Sequence, residues 1–179
     1  MIPNEEQSLA LHAKYGSNER IVTHCKTVTG VSKSIVKALI AKGVPVDARS
    51  VVAGALLHDI GRTRTQTVEH GHVGAKILED EGVDEAVVQI VRRHVGAGIS
   101  DEEAASLGFP KGGYVPRTLE EKIVCFSDKM VSSDTVRPFA EEEKRFIRKG
   151  HDVERLRRLK RDMTEALGED PEKIVLSLR

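Results

Sequence analysis

The sequence predicts an all-α fold, a helical bundle with a C-terminal helical extension. Three observations carry that prediction. Apolar residues recur at spacings of three and four almost throughout the chain. No run of strict alternation persists long enough to make a sheet. Helix starts on Ser, Thr, Asn or Asp and stops on Gly or Pro punctuate the chain from end to end.

In order, Glu5 to Lys14 reads as a short first helix. Ser17 or Asn18 caps a long second one reaching about Ala41, with Ile21, Val28, Ile35, Val36 and Leu39 inward. Gly43 and Pro45 stop it. Asp47 caps a third helix that runs through the apolar stretch from Val51 to Leu57 and is expected to end at Gly61 in a left-handed turn. A polar loop from Arg62 to Glu69 leads to a fourth helix, His70 to Glu81, closed by Gly82. Asp84 caps a fifth through His94, broken by Gly96 and Gly98. Ser100 with Glu103 forms a capping box for a short helix to Leu107. FPKGGYVP is a loop of turn formers. Thr118 with Glu121 opens a helix carrying Leu119, Ile123, Phe126 and Met130. Pro138 to Gly150 and Asp152 to Leu167 are charged amphipathic helices, and Pro171 starts a last turn. Residues 1–137 are read as the main domain, and residues 138–179 as an extension packed on it.

Bulk composition narrows the class. The 179 residues are 39% hydrophobic and 31% charged, a globular rather than a disordered balance. Aromatics are only 3%, with no Trp, so the core must be aliphatic. No apolar run approaches the ~20 residues that span a membrane. The acidic, polar start is unlike a secretory signal. Two cysteines, Cys25 and Cys125, are too few for a disulfide scaffold and suit buried, reduced thiols in a cytoplasmic protein. The 28 basic and 28 acidic side chains cancel, and the basic run ERLRRLKRD has no aromatics for base stacking. Both features argue against nucleic acid as a partner. The C-terminal amphipathic stripes leave a homodimer open.

Chemistry concentrates where polar side chains interrupt apolar segments. His24, His58, His70 and His94 lie beside apolar residues, and Asp59 and Asp128 join them. Asp128, inside IVCFSDKMV, costs several kcal/mol as a buried carboxylate unless it is paired or bound to metal. One such histidine reads best as a hydrogen-bonded core residue. Six positions together fit imidazole and carboxylate ligands of divalent metal. Six ligands, one of them bridging, can serve two ions about 3.5–4 Å apart.

His24, His58-Asp59 and Asp128 make the pattern H…HD…D, which resembles the HD superfamily of metal-dependent phosphohydrolases. HDIG at residues 58–61 matches its HDIG subfamily in full. HGHVGAKIL resembles the H-x-x-x-G-A segment of the dinuclear branches, RRHVGAG their fourth histidine followed by a glycine loop, and FSDKM the segment holding the last aspartate. The resemblance covers about residues 17 to 134, and the chain looks most like archaeal-type HDIG domain proteins. It implies that His24, His58, Asp59 and Asp128 hold one metal, with Asp59 bridging to a second held by His70 and His94. The ions would be Fe, Mn, Zn, Ni or Co. It further implies hydrolysis of a small phosphorylated molecule, such as a nucleotide, by a metal-bound hydroxide attacking phosphorus, with Asp59 central. Arg62 and Lys129 adjoin the metal segments and are candidate phosphate clamps; Arg20 is a weaker one. The competing reading is a non-catalytic metal- or nucleotide-binding regulatory module. His72 lies two residues beyond His70, about 200° around a helix, so only one of them should ligate. His12 and His151 sit in polar surroundings and are expected to be exposed.

Overall fold

A computed structural model describes residues 1–178. The fold is all-α. Ten helices are described: α1 (Glu5–Tyr15), α2 (Glu19–Ala41), α3 (Ala48–Leu57), α4 (His70–Asp80), α5 (Glu85–Arg93), α6 (Asp101–Ser106), α7 (Leu119–Lys129), α8 (Phe139–Lys149), α9 (Val153–Leu167) and α10 (Pro171–Leu176). The capping chemistry places most boundaries. Asn18 accepts from the Ile21 amide to start α2, and Asp47 and Asp84 start α3 and α5 in the same way. Asn4/Gln7, Ser100/Glu103 and Thr118/Glu121 form reciprocal capping boxes at the starts of α1, α6 and α7.

Beside a small cluster of Val95, Ile99, Ala104 and Tyr114, the core divides into two large, mainly aliphatic ones. The larger joins Val28, Ile35 and Leu39 of α2 to Ile123 and Phe126 of α7, and to Leu156 and Met163 of α9. The C-terminal helices therefore share the bundle's main core. The smaller gathers Leu57, Ile60, Leu78, Val87 and Val91 between α3, α4 and α5. Among the described residues, no helix is long and apolar enough to cross a membrane.

Two local features differ from the sequence reading. The third helix ends at Leu57, not Gly61, and Ile60–Thr63 form a separate 3-10 turn. Gly61 does not take the expected left-handed conformation. It is required because a Cβ there would lie 1.9 Å from the His70 carbonyl oxygen and 2.6 Å from the Gly74 amide nitrogen. The 3-10 turn is thus pressed directly on the backbone of α4. The second difference is a small antiparallel hairpin, β1 (Val131–Ser132) with β2 (Thr135–Val136), paired Val131 to Val136 and Ser132 to Thr135. Ser133 turns its corner at a φ of 58°. Sequence periodicity could not register strands of two residues.

Candidate metal centre

Five helices deliver the six expected side chains to one end of the bundle. His24 comes from the first turns of α2, His70 opens α4, His94 caps the end of α5, and Asp128 sits in the last turn of α7. His58 is the last residue in helical geometry at the end of α3. Asp59, at φ −97° and ψ 12°, leaves the helix through the bridge region. That break lets two sequence neighbours aim into the same centre from different directions.

Each of the four rings is fixed from behind. His24 Nδ1 donates to the Ser133 carbonyl at 2.7 Å, His58 Nδ1 to Ala55 at 2.8 Å, His70 Nδ1 to Thr67 at 2.7 Å and His94 Nδ1 to Val91 at 2.7 Å. With Nδ1 donating, the Nε2 lone pairs face inward, which is how protein metal sites set the imidazole tautomer. The hairpin earns its place here, because Ser133 at its corner orients His24.

The inward atoms form two half-sites. Asp128 Oδ1 lies 3.0 Å from His24 Nε2 and 3.5 Å from His58 Nε2. Asp59 Oδ1 lies 3.2 Å from His70 Nε2 and 3.4 Å from His94 Nε2. His70 and His94 Nε2 approach to 3.1 Å. The outer oxygens carry cations: Arg62 Nε lies 2.7 Å from Asp59 Oδ2, and Lys129 Nζ lies 2.7 Å from Asp128 Oδ2. These pairs fix which carboxylate oxygen turns inward.

The donor set fits a metal. His58 Nε2 and Asp59 Oδ1 are buried without a hydrogen-bond partner, a costly arrangement in a native interior unless something else satisfies them. Three sets of three side chains, His24/His58/Asp59, His58/His94/Asp128 and Asp59/His70/His94, each bring their ligand atoms within 4.8 Å of one another. The buried His/Asp cluster can hold a divalent ion.

The electrostatics agree with that use. Burial opposes charge on Asp128, but the Lys129 ammonium first, and then the neighbouring His24 and His58 rings, outweigh it and hold the carboxyl well below its usual range. Burial likewise works against the Asp59 carboxylate, and His58, His70 and His94 overcome it. Burial pushes His94 down to about 4, so its Nε2 is an unprotonated donor at neutral pH. His58 behaves oppositely: burial disfavours its cation, yet Cys25, Asp59 and Asp128 raise its pKa well above the ordinary value. A bound cation would take over the charge that a proton supplies on His58.

The other histidines separate cleanly. His72 points away from the centre and stacks on Phe109, with Tyr114 edge-on. His151 is exposed. His12 is not exposed as expected. It is buried, with Nδ1 2.6 Å from Ser17 Oγ and Nε2 2.7 Å from the Leu56 carbonyl oxygen. Arg20 is exposed and lines neither of the cavities at the centre.

Two cavities open from the centre. One, of about 760 Å³, runs between the 95–99 glycine loop, α6 and α8. The other, of about 620 Å³, lies between the hairpin and α8. They meet at Arg62, Asp128, Lys129 and Arg145. Sequence reasoning missed Arg145 and Arg155 in this setting. Arg155 reaches the loop by donating to the Gly98 carbonyl at 2.7 Å. Both residues read along the chain as ordinary charges on amphipathic helices.

A family model described as HD domain matches residues 21–132, which include all six clustered side chains. The chain is 40% identical over 176 residues, 97% of its length, to a tRNA (cytidine(56)-2'-O)-methyltransferase of Thermoplasma volcanium. It is 39% identical over 179 residues, 99% of its length, to a protein of the same name from Picrophilus torridus. The chain spans about half of each relative, 51% in both cases. Among solved structures, the HD domain of the L. monocytogenes phosphodiesterase PgpH aligns with a TM-score of 0.62 at 18% identity, covering 98% of both chains. That likeness shows the fold alone.

These relatives overturn two expectations. A hydrolase of small phosphorylated metabolites does not stand beside relatives that match nearly the whole of this chain and are named for RNA methylation. The motif specifies what surrounds a metal, not the molecule brought to it. The argument against a nucleic-acid partner falls for a related reason, because a net charge of zero averages over surfaces that the fold keeps apart.

Proposed function

This chain belongs to the HD-domain family, and from that premise we propose that it is the tRNA-holding HD unit of a tRNA 2'-O-methylation enzyme. The observation that carries the reading is the match over 97% and 99% of the chain to proteins named for that activity. Methylating a ribose oxygen replaces an O–H bond by an O–CH₃ bond. The reaction needs the hydroxyl held still, its proton removed and a methyl donor alongside. The residues here suit the first requirement. In relatives about twice as long, the other half is free to serve the donor.

His24, His58, Asp59 and Asp128 would hold one divalent ion, and Asp59, His70 and His94 a second. Ions bound there supply positive charge to phosphate oxygens and lower the pKa of a nearby hydroxyl. Arg62 and Lys129 fix the two carboxylates and stand at the junction of both cavities, where an RNA phosphate would meet them. Such work places the chain in the cytoplasm. The test is genetic and chemical: delete the gene for this chain and quantify 2'-O-methylcytidine at tRNA position 56 by nuclease digestion and mass spectrometry. The level should fall to a small fraction of that in the parent strain. An unchanged level would refute the reading.

A further inference from the structure

The geometry points to a second binding element for RNA: a basic groove along α8 that carries the sugar–phosphate backbone away from the metal centre. This inference rests on the tRNA reading above and extends it to a surface outside the ligand cluster.

The 620 Å³ cavity between the hairpin and α8 is lined by six cations, Arg62, Lys129, Arg137, Lys144, Arg145 and Arg148, against three carboxylates, Asp128, Glu141 and Glu142. Three of those cations are already paired: Arg62 with Asp59, Lys129 with Asp128 and Arg145 with Glu142. The other three, Arg137, Lys144 and Arg148, are exposed and form no ion pair among the described residues. Lys144 and Arg148 are four residues apart, so they stack on one ridge of α8 about 6 Å from each other along its axis. The dipole at a helix C-terminus explains a cation at Arg148. It does not explain Arg137, which precedes the helix, or Lys144 in its middle.

Continuity decides what the groove is for. Its inner end shares Arg62, Asp128, Lys129 and Arg145 with the larger cavity at the metal centre. A polyanion with one phosphate at the centre would therefore lay its neighbouring phosphates over Arg137, Lys144 and Arg148. A single small metabolite would leave those outer cations unused. A strand of RNA uses all of them. Its affinity through such contacts is electrostatic, sequence-independent and salt-sensitive.

The test compares full-length wild type with the triple variant Arg137→Ala, Lys144→Ala, Arg148→Ala. A control variant, Lys33→Ala, Lys37→Ala, Lys76→Ala, removes three exposed cations elsewhere. Each protein is titrated with an unmodified tRNA transcript by fluorescence anisotropy across a salt series. Bound metal and thermal midpoint are measured alongside. The groove predicts at least tenfold weaker binding for the first triple variant. It also predicts a slope of log affinity against log salt that is shallower by about 2, at roughly 0.7 per lost single-strand phosphate contact. Metal content should be unchanged, and the control should bind like wild type. If wild type binds tRNA and the groove variant matches it in affinity and slope, the groove is wrong while the tRNA reading stands. Equal losses in the groove and control variants would also overturn it, showing general charge attraction. If wild type does not bind tRNA at all, both fall.

Discussion

Asp59 and its neighbour His58 show how much two residues can specify. The abrupt polar pair after an apolar helix was legible because a buried carboxylate and imidazole need a reason to be there. Substituting Asp59 with Asn keeps the shape, removes the charge and leaves an amide N–H₂ or oxygen facing His70 and His94 at 3.2 and 3.4 Å. Bound metal in the purified protein, counted by plasma mass spectrometry, should fall by at least half in Asp59→Asn. Equal metal in variant and wild type would exclude Asp59 as a ligand. Gly61 shows the opposite case. Its presence was plain in the sequence, but its reason was a close backbone approach from α4, which no local pattern encodes. Gly61→Ala should lower stability by about 3 kcal/mol, because the obstruction is backbone that cannot rotate aside. An unchanged urea midpoint would refute that contact. His12 was misread for a related reason. Leu11 and Ala13 flank it, and the carbonyl that satisfies it belongs to Leu56, 44 residues away in sequence.

Elements were the most legible level, since caps and periodicity are local chemistry. The capping boxes at Ser100/Glu103 and Thr118/Glu121 stand where the sequence places them. What the sequence hides is the second use of a capping residue. Glu121 closes the N-terminus of α7 and also pairs with Arg93 Nη1 at 2.7 Å, both side chains being buried. This pair locks the end of α5, and so His94, against the start of α7, the helix that carries Asp128. Glu121→Gln should cost about 3 kcal/mol in urea unfolding, because Arg93 is left buried without its counter-charge. A loss below about 0.5 kcal/mol, the scale of an exposed pair, would contradict the buried lock. The hairpin after α7 was illegible because two-residue strands carry no periodicity. Its contribution to the site is a backbone carbonyl, which no side-chain pattern announces.

Taken whole, the chain folds around a core that includes its C-terminal helices. Leu156 of α9 is completely buried with Val28, Ile123 and Phe126. Leu156→Ala should destabilise the protein by about 2–5 kcal/mol while unfolding stays a single transition. Separate transitions would mean that residues 138–178 form their own unit. The buried interior also sets an alkaline limit. Burial pushes the Cys125 thiol up to about 12 from 9.0. The folded state therefore keeps a proton that the unfolded chain releases above about pH 9. Its contribution is whole below that value and is lost as pH rises toward 12, at about 1.4 kcal/mol per pH unit. Between pH 9 and 10.5, Cys125→Ala should lose less stability than wild type; parallel losses would rule out this source. Charge was the least legible property of the whole. Equal numbers of acids and bases concealed a groove that only the folding of α8 beside the hairpin assembles. In the proposed reading, the metal centre and that groove act together on RNA. Titrating an unmodified tRNA transcript against the metal-loaded protein, and against the same protein stripped by a chelator, examines that union directly. Saturable binding that weakens at least tenfold on chelation is expected. Equal affinity with and without metal, or no binding in either form, would contradict it.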